Sequence, residues 1–170
     1  MTAAFSSLPD SARLWLVATD GDPSVMLADV RAFCESWQSH GRSVHARADV
    51  LAGRVLAVAA QISDAEFNAG VSGCGIDAMQ HAVEASAARH GLLLTPALSV
   101  TYRDGSGAWQ SVPRSVFRTL VTTGDAGPET HVLDLTPTTL GALHTVGGPE
   151  QPAGELWHAM TFGLGASRAA

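Results

Sequence analysis

The chain has 170 residues, 46% of them apolar, and carries a net charge of −6. That length suits one compact domain, and that composition can bury a core, so disorder is not the default expectation. All ten basic residues are arginine, which excludes a phosphate-binding Walker A loop and Schiff-base chemistry, since both need a lysine.

No arginine cluster stands out, so nucleic acid is not an expected partner. The longest apolar run, Val55 to Ala60, is far too short to span a bilayer, and no membrane partner is expected. Met1 to Arg13 lacks a basic segment followed by an apolar one, which predicts a cytoplasmic protein. Cys34 and Cys74 form neither a disulfide framework nor a paired zinc spacing. No metal and no cofactor is expected.

Leu14 to Val17 predict a buried strand within 12–19, followed by the turn Asp20-Gly21-Asp22. Asp22-Pro23 opens a helix, with aspartate as N-cap and proline in the first turn. Met26, Val30, Phe33, Cys34 and Trp37 form its apolar stripe. Gly41 is expected to end it, with His40 at the helix C-terminus.

Val44, Ala46, Ala48 and Val50 alternate with polar neighbours, predicting a strand over 44–51 with one wet face. Ala52-Gly53 then turns the chain into a more buried strand over 55–62, making a hairpin. A loop is expected over 63–73. Ile76, Met79, Val83 and Leu92 mark a second helix, closed by Gly91.

Further on, 98–102 and 108–112 predict a strand pair around Asp104-Gly105-Ser106-Gly107. Pro113 opens a third helix with Val116, Phe117, Leu120 and Val121 inward and Gly124 at its end. Beyond Gly124 the pattern weakens. A strand is expected near 131–135, a loop over 136–157 and a last short strand over 157–162.

The order through Tyr102 is β-α-β-β-α-β, that of a ferredoxin-like split βαβ unit with both helices on one face of an antiparallel sheet. The expected fold is therefore α+β: a ferredoxin-like core with an added hairpin, a third helix and a C-terminal extension. It forms a single domain over 8–162, with 1–7 and 163–170 as flexible termini. This order names no function.

Four segments form a set: Leu8-Pro9-Asp10-Ser11-Ala12-Arg13-Leu14-Trp15, Trp37-Gln38-Ser39-His40-Gly41, Ser72-Gly73-Cys74-Gly75-Ile76-Asp77 and Leu156-Trp157-His158. The chain thereby resembles a family of small uncharacterised bacterial proteins, familiar from Bacteroidetes-type genomes and often labelled "ABC transporter ATPase". The resemblance spans Leu8 to His158, and its SGC-x-ID element is the most specific part. The chain has Gly75 where the family has a serine, and Thr95-Pro96 near an expected arginine. The ATPase label is not carried over, because the P-loop lysine and its glycine pattern are absent. The resemblance implies candidate positions rather than an activity.

Those positions centre on Cys74. At a helix N-terminus, unpaired N–H groups and the dipole favour a thiolate, and Ser72, Gly73 and Gly75 leave the backbone bare for an anion. Asp77, one turn in, opposes that charge. The alternative is a structural turn, with Asp77 acting as in a capping box and Cys74 packed inward. His40 and His158 are the candidate bases for Cys74. Against these roles, His40 fits a helix-end cap and His158 fits a water-facing neighbour of a core Trp157. His45, His81, His90, His131 and His144 show no metal-binding spacing.

Three functions follow. The first is a non-catalytic binding module for a small anion or a protein partner at Ser72–Asp77. The second is a thiol-dependent enzyme with Cys74 as nucleophile, His40 or His158 as base and the Gly73 to Ile76 N–H groups as oxyanion donors. The third is a structural domain that dimerises with a second copy through its sheet or sheet edge.

Overall fold

The computed structural model describes residues 3–62 and 70–164. In chain order its elements are β1 (Arg13–Ala18), α1 (Leu27–Ser36), β2 (Gln38–Ser39), β3 (Arg42–Ser43), β4 (His45–Leu51), β5 (Val55–Gln61) and α2 (Gly73–Arg89). There follow β6 (Ser99–Arg103), β7 (Trp109–Pro113), α3 (Arg114–Thr123), β8 (His131–Leu133), α4 (Leu140–Thr145), β9 (Glu150–Pro152) and α5 (Trp157–Phe162). The chain is mixed α/β, and among the described residues all strand pairs are antiparallel. Among the described residues no helix is long and apolar enough to cross a membrane.

Contacts divide the chain into two compact units. The first takes residues up to Leu94 together with Thr136–Gly148; the second takes Thr95–Leu135 and the chain from Pro149 onward.

In the first unit, β5 lies between β1 and β4. One sheet face carries Ala46, Ala48, Leu56, Val58 and Ala60 against Met26, Val30 and Cys34 of the α1 region and Met79, Val83 and Ala87 of α2. The opposite face carries Leu14, Ala57 and Ala59 against Phe5, Ala12, Leu140 and Leu143. β5 is therefore covered on both sides, and Val55 through Ala60 are all buried. A continuous apolar run is the sequence form of a strand buried on two faces.

The helix starts follow local chemistry. Asp22 caps a short 3-10 turn over Pro23–Met26 that runs into α1, accepting from the Ser24 N–H at 2.9 Å and the Ser24 hydroxyl at 2.8 Å. Gly91, at φ +68°, follows the end of α2 as expected. α1 ends at Ser36, five residues before Gly41. The chain leaves it in extended conformation at Trp37 and forms the β2–β3 hairpin, with His40-Gly41 as a two-residue loop. Both loop residues have positive φ, 52° and 74°, which suits a mirror-image turn whose twist matches the strands. Gly41 is thus a hairpin residue and not a helix cap.

The expected ferredoxin-like sheet is not formed. β1, β5 and β4 share one sheet, but β6, expected as its fourth strand, pairs with β7 and β8 in a separate sheet of order β7-β6-β8-β9. The outer edge of β1 is occupied at both ends. Leu14 donates its N–H to Thr138 O at 2.8 Å and Leu140 donates to Ala12 O at 3.1 Å. At the far end Thr19 bridges Leu94, while Leu93 N–H donates to the Asp20 carboxylate at 2.8 Å.

The second unit packs that four-stranded sheet with α3 and α5 around Val100, Phe117, Val132 and Phe162. α3 spans Arg114–Thr123, and Gly124 at φ +83° closes it as predicted. Phe117 is buried, whereas Val116 is exposed rather than inward. Two further expectations are corrected. The segment 157–162 is a helix, and 136–157 holds α4 and β9 instead of a bare loop. Of the loop expected over 63–73, residues 63–69 lie outside the described residues, as do 1–2 and 165–170 of the expected terminal segments.

Candidate functional site

α2 begins at Gly73, so Ser72 is its N-cap and Cys74 its second residue. The Ser72 hydroxyl accepts from the Gly75 N–H at 3.2 Å, and the Ser72 carbonyl accepts from the Ile76 N–H at 2.9 Å. That is the ordinary solution for orphan donors at a helix start. It assigns the third helical position to Gly75, which has no side chain, so the reciprocal bond expected from Asp77 has no place. Asp77 lies further along the helix and is exposed.

The turn is gripped from beneath by the β2 segment. Ser39 Oγ donates to Ser72 Oγ at 2.9 Å and accepts from the Ser72 N–H at 3.0 Å. Trp37, itself buried, donates Nε1–H to the Gly75 carbonyl at 3.1 Å. Gly75 is required by this approach. A Cβ there meets Val71 Cγ1 at 2.9 Å and the Ser39 and Ser72 hydroxyls at 3.4 Å each. The segments 37–41 and 72–77, both singled out in the sequence, are joined by these bonds.

Cys74 faces outward. It is exposed, while Cys34, on the apolar stripe of α1, is buried. The inward packing expected of Cys74 in the structural alternative is therefore corrected: position 75 faces the core there, and it needs only a hydrogen atom. Burial pushes the Cys34 thiol up to about 11. Gly73 is also exposed, with open space where a Cβ would sit. Gly73 and Cys74 thus present a bare first turn, while the residues on either side are fixed.

The two candidate bases differ in their surroundings. His40 is exposed on the β2–β3 loop, and among the described residues no hydrogen bond joins it to Cys74. His158 belongs to the second unit, at the start of α5, and is 1% exposed rather than facing water. Its ring stacks on Trp157 at 3.8 Å between centroids and lies near Phe117 and Phe162. Its Nδ1 is buried without a hydrogen-bond partner. Burial lowers its pKa to about 4, partly opposed by the Asp134 carboxylate. Such a ring is neutral at neutral pH.

Two constellations had no signal in the sequence. On α1, Asp29 accepts from the Ser86 hydroxyl at 2.9 Å, contacts His90 Nε2 at 3.1 Å and pairs with Arg89 at 2.8 Å. The Ser86 bond, ahead of the His90 and Arg89 interactions, lowers the Asp29 pKa. The carboxylate stands between serine and histidine, so histidine cannot take the serine proton. The group clamps α1 to α2 and lacks the order of a catalytic triad.

In the second unit, a cleft of about 660 Å³ is lined by Arg103, His131, Glu150 and the loop from Gly124 to Thr130. Arg103 forks onto Glu150 at 2.6 and 3.1 Å, and His131 Nδ1 lies 3.2 Å from the same carboxylate. The Arg103 hydrogen bonds are the main cause holding Glu150 below the ordinary carboxylate range. Residues 103, 131 and 150 are remote in sequence, and only the register of β6, β8 and β9 brings them together.

No protein-family model, no curated protein and no solved structure matches the chain. The class that the coordinates define is a mixed α/β protein with antiparallel sheets.

Proposed function

We propose that the chain is a non-catalytic binding module of the cytoplasm, and that the first turn of α2, over Ser72–Asp77, receives the anionic group of a small ligand or a protein partner. The supporting observation is that Gly73 and Cys74 lie exposed on a turn whose neighbours Ser72 and Gly75 are locked by Ser39 and Trp37. A rigid helix start with bare N–H groups favours negative charge without reorganisation. The resemblance to the small bacterial family, with its SGC-x-ID element, singles out the same turn. We also read β1-α1-β4-β5-α2 as a split βαβ unit whose fourth strand is replaced by bridges from Leu94 and Thr139.

The test is a backbone NMR titration of the whole protein with inorganic phosphate. Selective, saturable shifts at Gly73 and Cys74, retained in Cys74→Ser, support a binding turn in which the thiol is dispensable. Unmoved amides at both positions refute anion capture there.

A thiol-dependent enzyme is the second reading, and the exposure of Cys74 on a helix start is the observation in its favour. Its candidate bases are His40 and His158, of which His158 is buried. Loss of phosphate binding in Cys74→Ser, together with rapid alkylation of Cys74 well below the ordinary thiol range, would favour it over the first.

A further inference from the structure

A second groove lies in the first unit, about 480 Å³ in volume, lined by Ala4, Arg31, Cys34, Glu35, Ala46, Arg47 and Ala48. It sits where α1 runs beside β4, the outer strand of its sheet. Both arginines are anchored to that strand. Arg31 Nε donates to Ala48 O at 3.1 Å and its Nη2 reaches Asp49 at 3.3 Å. Arg47 Nη1 donates to Ala46 O at 2.8 Å.

These bonds fix the guanidinium groups without exhausting them. A guanidinium carries five N–H donors. Arg31 keeps Nη1, and Arg47 keeps Nε and Nη2, with no protein partner among the described residues. Both side chains line the groove beside Cys34. Ala46 and Ala48 keep its wall low. Glu35 disfavours a second negative charge in the same space and suits a hydroxyl or ammonium donor on the ligand.

We propose that this groove binds a small organic monoanion, its carboxylate held by Arg31 and Arg47 and its donor group facing Glu35. Anchored, planar guanidinium groups match a carboxylate fork and lose little freedom on binding. The site is separate from the first turn of α2, and the two thiols report on them separately.

The experiment follows alkylation of Cys34 and Cys74 in the whole native protein, resolved by mass spectrometry, in sodium lactate against sodium chloride of equal ionic strength. The expected result is a severalfold slowing at Cys34 in lactate, no change at Cys74, and loss of the effect in Arg47→Gln. Backbone NMR shifts at Ala46 and Ala48 in the same titration give a readout independent of the thiol. Equal Cys34 rates in the two salts, with those amides unmoved, overturn the proposal. So does protection that persists undiminished in Arg47→Gln, because the salt would then act on the fold as a whole.

Discussion

Ser39 and Ser72 hold each other: the Ser39 hydroxyl donates to the Ser72 hydroxyl at 2.9 Å and accepts from the Ser72 N–H at 3.0 Å. Ser39 is 3% exposed, so water cannot readily replace it. Ser39→Ala leaves the Ser72 N–H without its partner and frees the cap that serves Gly75. The expected loss is about 1–2 kcal/mol of stability, read from urea unfolding. A variant as stable as the parent would show that the two serines merely lie side by side.

Gly73 and Gly75 are expected to respond oppositely to alanine. At Gly75 the new methyl meets the buried Val71 side chain at 2.9 Å. Overpacking of that kind costs about 1–3 kcal/mol, which exceeds the gain of up to about 1 kcal/mol from replacing a helical glycine. At Gly73 the space is open, so Gly73→Ala is expected to stabilise by about 0.5 kcal/mol. Thermal unfolding of both variants checks the pair; the same sign for both would contradict the packing described around Gly75.

The stability of the protein is expected to fall on mild acidification because of His158. Its ring titrates at about 4 when folded and near 6.5 when unfolded. The unfolded chain therefore binds the extra proton between those values. The contribution is complete above pH 6.5, declines as pH drops through that window, and is gone near pH 4. It corresponds to about 3 kcal/mol at most. Carboxylates held low, such as Asp29 and Glu150, lose their share only further down. His158→Phe is expected to flatten the profile between pH 6.5 and 5 in denaturant titrations. An unchanged slope would place the proton uptake on other groups.

Alkylation in the native state is expected to separate the two cysteines widely. Cys74 is exposed, whereas Cys34 is buried with its thiol pushed up to about 11. Reactivity follows thiolate fraction and access. Mass spectrometry at neutral pH should find Cys74 modified early and Cys34 far more slowly, through the groove that it lines. Comparable rates would mean that α1 opens readily from the sheet.

The local grammar of the chain was legible, and the pairings were not. Asp22-Pro23, the β4–β5 hairpin at Ala52-Gly53 and the glycines after α2 and α3 could be read directly, because each rests on chemistry within a few residues. The apolar stripe of α1 identified Cys34 as a core residue. β6 was recognised as a strand, but periodicity specifies a strand and not its neighbour, and the edge of β1 was already taken by Leu94 and Thr139. His40-Gly41 resembled a helix end because glycine serves both a helix cap and a mirror-image turn. The six residues of α5 are too few to separate a helical period from an extended one. At the candidate site, the turn itself was found from its small residues. Its attachment to Ser39 and Trp37 spans more than thirty positions of sequence and has no local signature.

The arginines laid across the outer strand of the first unit have one more consequence. Ala46 and Ala48 would otherwise offer their carbonyls to any passing extended chain, and guanidinium groups already fill them. The far border of the same sheet is interrupted at Leu14 and at Thr19. A sheet closed in this way is a poor template for fibril growth. Removing Arg31 and Arg47 together would reopen one border, and the cost would appear as aggregation on storage before it appeared as unfolding.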